Sequence, residues 1–118
     1  MARSAEEVLQ HYGKTLVEGL SKGDFSAVMA DFADDAVRLT MEGAYVGKAA
    51  IQDAAVKFAS AMPHAKLSVT GRFVHGDYLM VTWKGDSDVA TIPYGVDTMI
   101  IHDDRIRVQT AWWATVPK

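Results

Sequence analysis

Apolar side chains recur at every fourth position from Val8 through Tyr12 and Leu16 to Leu20, the spacing that lays one stripe along a helix. Ser4 and, three residues on, Glu7 have the form of a capping box, and Gly23 supplies a stop, so the pattern predicts a helix over residues 4–22. After the Gly23-Asp24 break, Phe25, Val28, Met29 and Phe32 line one side of a short second helix. From Ala36 the pattern changes to alternation through Val37, Leu39 and Met41, breaks at Glu42-Gly43 and resumes from Ala44 to Val46. A short hairpin is expected there, closed by Gly47. Residues 49–62 return to helical spacing, with Ile51, Ala55, Phe58 and Ala59 on one face, and Pro63 forbids continuation.

The rest reads as strand after strand, over residues 66–74, 78–84, 94–102 and 105–116, separated by Gly76-Asp77, Gly85-Asp86 and Asp103-Asp104. Helices first and strands afterwards predict an α+β fold: three N-terminal helices on one face of an antiparallel sheet, not the βαβ alternation of nucleotide-binding folds. The last two strands are apolar at both parities, with Val96, Ile100, Val108 and Trp112 against Met99, Ile101, Ala111 and Trp113. One face must cover the helices, and a second copy of the chain, in a homodimer, is the expected cover for the other.

Composition narrows the function. At 118 residues and 49% hydrophobic, residues 1–118 fit one domain with a real core. Twelve basic residues face fifteen acidic ones for a formal charge of -3, and no basic cluster interleaves with aromatics, so nucleic acid is not an expected partner. There is no signal-peptide pattern and no window of membrane-spanning length, and cytoplasmic residence is the default expectation. With no cysteine there is no disulfide frame and no thiolate chemistry. His11, His64, His75 and His102 lack metal-ligand spacing, so no metal is expected. No motif implies a cofactor, and no Ser/His/acid set or nucleophile elbow is visible.

One carboxylate stands out. Asp97 lies between Val96 and Thr98 in a strand otherwise apolar on both faces. A carboxylate there must be hydrogen-bonded, protonated or open to a polar cavity, and burial should raise its pKa toward the range of a general acid or base. Tyr12 occupies the inward stripe of the first helix, where its hydroxyl is either a second catalytic donor or a satisfied core phenol. Thr40 and Glu42 end the first strand near the expected pocket mouth, and Glu42 reads as a solvated turn residue unless the strand bends inward.

The order of elements, the Gly23-Asp24 hinge, the run from Phe32 to Val37 and the Tyr45-Val46-Gly47-Lys48 stretch before a helix together resemble the nuclear transport factor 2-like superfamily. Its fold is a cone of helices and a curved sheet around a pocket. Within it, the segment from Val96 to Ile106 followed by Ala111-Trp112-Trp113 is similar to the final hairpin of ketosteroid isomerases and SnoaL-like polyketide cyclases. By that resemblance Asp97 matches the proton-donating Asp of the isomerase, a carboxyl that an apolar site keeps protonated so that it can donate a hydrogen bond. Gln109, Trp113 and Met99 fall on the pocket wall. Thr40 stands where the isomerase has its base, Leu16 where it has its oxyanion Tyr, and Phe32 and Ala55 where it has supporting Tyr residues. The resemblance therefore implies a pocket lined by Tyr12, Leu16, Phe32, Thr40, Met99, Gln109 and Trp113 that binds a small hydrophobic carbonyl compound, with Asp97 as a lone acid/base in cofactor-free isomerase, cyclase or dehydratase chemistry. The competing reading is a non-catalytic association domain whose sheet face carries the function. An open cavity reaching Asp97 favours the first, and a collapsed one the second.

Overall fold

A computed structural model describes residues 3–118. The first helix, α1 (Ala5–Lys22), begins as its sequence dictates: Ser4 Oγ accepts the Glu7 amide at 3.1 Å while Glu7 Oε1 accepts the Ser4 amide at 3.0 Å. It ends at Gly23 in the left-handed region (φ 73°), a conformation that costs glycine nothing. Asp24 Oδ1 accepts the amide and hydroxyl of Ser26 and starts the single turn α2 (Ser26–Met29). Phe32 lies beyond this turn as the first residue of β1 (Phe32–Thr40), whereas the apolar spacing placed it on the second helix. Next come β2 (Gly43–Val46), α3 (Lys48–Ala61), β3 (Lys66–His75), β4 (Tyr78–Asp86), β5 (Ala90–His102) and β6 (Arg105–Pro117).

These strands form one six-stranded sheet in the order β2-β1-β6-β5-β4-β3. All pairs are antiparallel except β1 with β6, which run parallel with Arg38 opposite Gln109 and Thr40 opposite Ala111. The parallel pair follows from the chain's return: α3 and four strands intervene before β6 docks beside β1. β5 starts four residues before the expected Tyr94 because Pro93 sits in a register irregularity between Thr91 and Tyr94, where its missing N–H breaks no ladder bond.

One sheet face packs on the helices. Val8 and Tyr12 of α1, Val28 of α2 and Ile51 of α3 are buried against Leu79, Met99, Ile101 and Ile106 of the sheet. A second cluster joins Met62 to Ala90 and Ile92, with Phe58, Trp83 and Trp113 packed beside it. The N-terminal end is tied down by Asp31, 1% exposed, whose carboxylate pairs with Arg3 Nη1 at 2.9 Å and His11 Nδ1 at 2.7 Å. Arg3 also reaches Asp104 in the β5–β6 turn at 2.7 Å. The opposite face carries Leu39, Phe73, Tyr78, Met80, Ile100 and Trp112, all exposed. No helix among the described residues is long and apolar enough to cross a membrane.

Candidate functional site: an apolar cavity with a polar floor

Between the helices and the sheet lies a cavity of about 350 Å³, within the size range of small-molecule sites. Its walls are apolar: Leu16 and Leu20 from α1, Ala55 and Phe58 from α3, Val81 and Met99 from the sheet. Its aromatic end is a cluster in which Phe58 meets Trp113 edge-on at 5.7 Å and Trp83 at 6.4 Å between ring centroids.

Polar groups converge on one part of this lining. Asp97 is enclosed by protein yet keeps some accessible surface, because it borders the cavity. Trp83 Nε1 donates to its Oδ1 at 3.0 Å and Gln109 Nε2 to its Oδ2 at 2.8 Å. The same Gln109 nitrogen donates to the Tyr12 hydroxyl oxygen at 3.1 Å, so an amide bridges the phenol and the carboxyl. This alignment is a product of register. Asp97 faces Val81 on β4 and Ala111 on β6, and Gln109 lies opposite both Met99 and Arg38 on its neighbouring strands. Because side chains alternate, Asp97, Met99, Gln109, Trp113 and Arg38 all point to the helix side.

Burial pushes the Asp97 carboxyl above the usual range, against the pull of the Arg38 charge and of the bonds from Trp83 and Gln109. Desolvation wins because both donors are neutral and no cation touches the carboxylate. The Tyr12 phenol is likewise raised by burial, with Arg38 drawing it down and Asp97 pushing it up. The cavity therefore holds a buried carboxyl whose neutral form is favoured over that of a solvated aspartate.

Of the residues expected at the site, Tyr12, Leu16, Phe32, Asp97, Met99, Gln109 and Trp113 all border the cavity. Thr40 does not. It closes β1, and its hydroxyl accepts the Glu42 amide at 3.0 Å in the following turn. Two residues earlier on the same side of the strand, Arg38 takes the place that Thr40 was expected to fill. Glu42 is in that turn too, paired with Lys57 at 3.2 Å. Three of the four histidines are engaged elsewhere: His11 with Asp31, His64 with Asp88 and His102 with Asp77. His102 is raised chiefly by its bond to Asp77, with the Asp103 charge second. No group of three potential metal ligands occurs among the described residues.

Sequence reasoning missed Arg38, Trp83 and Gly95. A Cβ on Gly95 would lie 2.3 Å from Trp83 Cε2. The bare backbone of Gly95, directly opposite both Trp83 and Trp113, is what lets the Trp83 indole lie flat and aim its N–H at Asp97. An isolated glycine within a strand pattern is the signal that could have pointed there.

The family model of the SnoaL-like domain matches residues 14–115. The chain belongs to the SnoaL-like family. Among solved structures, a candidate polyketide cyclase from Sinorhizobium meliloti is similar at 22% identity and TM-score 0.72, over 85% of this chain and 92% of that one. A candidate ketosteroid isomerase from Kribbella flavida is similar at 16% identity and TM-score 0.69, over 95% and 82%. TerC, co-crystallised with polyporic acid, is similar at 14% identity and TM-score 0.75, over 93% and 91%. No curated protein matches the sequence. The SnoaL-like assignment accounts for the fold: a curved sheet with its helices on one face, the architecture expected from the order of elements.

Proposed function

We propose that this SnoaL-like protein, acting as one domain in the cytoplasm, binds a small hydrophobic carbonyl compound and moves a proton on it without a cofactor, with Asp97 as the acid/base. The observation that carries this reading is the Asp97 carboxyl on an otherwise apolar cavity, held by side-chain donors from Trp83 and Gln109. A carboxyl raised by burial can take a proton from the carbon beside a carbonyl and return it elsewhere. Gln109 and the Tyr12 hydroxyl are the nearest polar groups to orient the substrate oxygen. The isomerase and cyclase names among the structural neighbours agree with this chemistry. A two-carboxylate isomerase mechanism is not supported, since Thr40 lies outside the cavity and Asp97 is its one acidic residue.

The test is hydrogen–deuterium exchange at the α-carbon of apolar cyclic ketones in D2O, followed by proton NMR. The wild type is expected to accelerate exchange, and Asp97→Asn to lose about 100-fold or more of that acceleration. Equal exchange by the two proteins would sink the acid/base role of Asp97.

The exposed apolar sheet face favours a second reading, which is compatible with the first: the protein forms a homodimer through that face. Trp112, 53% exposed, stands at its centre opposite Val96, with Met80 and Ile100 nearby. Trp112→Lys is expected to shift sedimentation from dimer to monomer. If that reading alone were right, the cavity would bind no ligand while the dimer persisted.

A further inference from the structure

The molecule has five arginines, and four of them have protein acceptors. Arg3 pairs with Asp31 and Asp104, Arg72 with Glu6 at 3.4 Å, Arg105 with Asp104, and Arg107 donates to the His102 carbonyl. Arg38 differs. Among the described residues no carboxylate comes within ion-pair distance of it, and its Nε is fully covered with no acceptor. The half-buried Arg38 guanidinium bears on the Tyr12 phenol, but an Nε–H withdrawn from water without an acceptor is a costly arrangement that a ligand oxygen would relieve.

The setting indicates what that partner is. Arg38 projects from near the end of β1 to the helix side and borders the cavity beside Gln109, its direct neighbour across the β1–β6 pair. The Gln109 side-chain oxygen is also buried without a donor. The cavity wall thus offers a guanidinium donor next to an amide acceptor. Charge points the same way. The chain as a whole carries -3, but the cavity lining bears Lys14, Arg38 and Arg72 against the single acid Asp97. Arg72 is offset by Glu6, leaving Lys14 toward the exposed surface of α1 and Arg38 inside.

We propose that Arg38 is the recognition point for an anionic oxygen group on the ligand, so that this cavity selects apolar molecules bearing a carboxylate or an acidic enol over neutral ones of the same shape. A hydroxyl next to that group would donate to the Gln109 oxygen. This rests on the reading of the cavity as a ligand site and specifies its substrate class: a ring compound with an acidic oxygen near the carbonyl on which Asp97 acts. The planar guanidinium fork suits such a group better than a lysine ammonium would.

The experiment compares 2-naphthoate with 2-naphthamide by isothermal titration calorimetry on the full chain, in the wild type, Arg38→Gln and Arg38→Lys, each first confirmed as folded by circular dichroism. The wild type is expected to prefer the carboxylate by about tenfold or more, the worth of one charge-assisted hydrogen bond. Arg38→Gln should bring the ratio of the two affinities near unity, and Arg38→Lys should retain part of it. A purely structural role for Arg38 would weaken both probes together and leave the ratio unchanged, which overturns the proposal. Equal wild-type affinity for both probes overturns it as well while leaving the ligand-site reading intact. Binding of neither probe removes that reading and this inference with it.

Discussion

Gly95→Ala is the most direct test of how the sheet prepares Asp97. The new Cβ would sit 2.3 Å from Trp83 Cε2 and 2.6 Å from Cζ2, whereas non-bonded carbons rest about 3.5–4.0 Å apart. The indole must therefore move by about 1.2 Å or more. The Trp83–Asp97 bond is 3.0 Å long, and a displacement of that size carries it past the limit of about 3.5 Å beyond which little hydrogen bonding remains. Overpacking costs about 1–3 kcal/mol, and a lost bond to an ionisable group about 1.5–3 kcal/mol. Because the two share one side chain they do not simply add, and a destabilisation of about 2–4 kcal/mol is expected. Urea denaturation measures that quantity. Carboxyl NMR titration measures the second consequence: the Trp83 bond favours the ionised carboxylate, so its loss should move the Asp97 pKa further up. Trp83→Phe removes the donor without the clash and should shift the titration in the same direction. An alanine variant as stable as the wild type, with Asp97 titrating as before, would refute this account of Gly95.

Asp97→Asn should change the pH dependence of stability in a defined direction. The folded-state pKa of Asp97 is raised by burial, so the folded protein holds this proton after the unfolded chain has released it. The wild type therefore loses stability as pH rises from the ordinary aspartate range through the raised folded value, and the Asn variant should lack that decline. Thermal melts across mildly acidic to neutral pH check it, and parallel profiles for the two proteins would contradict it. At the other end of the molecule, Asp31→Ala removes the acceptor of both Arg3 and His11. A loss of about 1–3 kcal/mol is expected, since both partners keep solvent access and re-solvate in part. Faster amide exchange in the first turn of α1 should accompany it, and an unchanged midpoint in urea would rule out the clamp.

Much of the fold could be read locally. The Ser4/Glu7 box and the Gly23 stop bound α1 to within a residue, because capping and left-handed glycine are settled by neighbouring atoms. Alternation located the strands and set the adjacent Trp112 and Trp113 on opposite faces; the family resemblance put Trp113 on the pocket wall, and in the structure Trp113 borders the cavity while Trp112 is exposed. Asp97 was visible for a similar reason: a charge in an apolar strand has few bland explanations. Arg38 was not, since in a strand bearing Asp34 and Asp35 a basic residue reads as an exposed position. Its inward aim depends on β1 lying parallel to β6, a pairing between segments about seventy residues apart that no local spacing encodes. The same holds for the Trp83 and Gln109 bonds to Asp97, each created by strand register, and for the exclusion of Thr40, which follows from where β1 turns. The sequence by itself determined the elements, their order and the one carboxylate out of place. The tertiary structure decided which polar groups meet it, because strand pairing over long separations sets those distances.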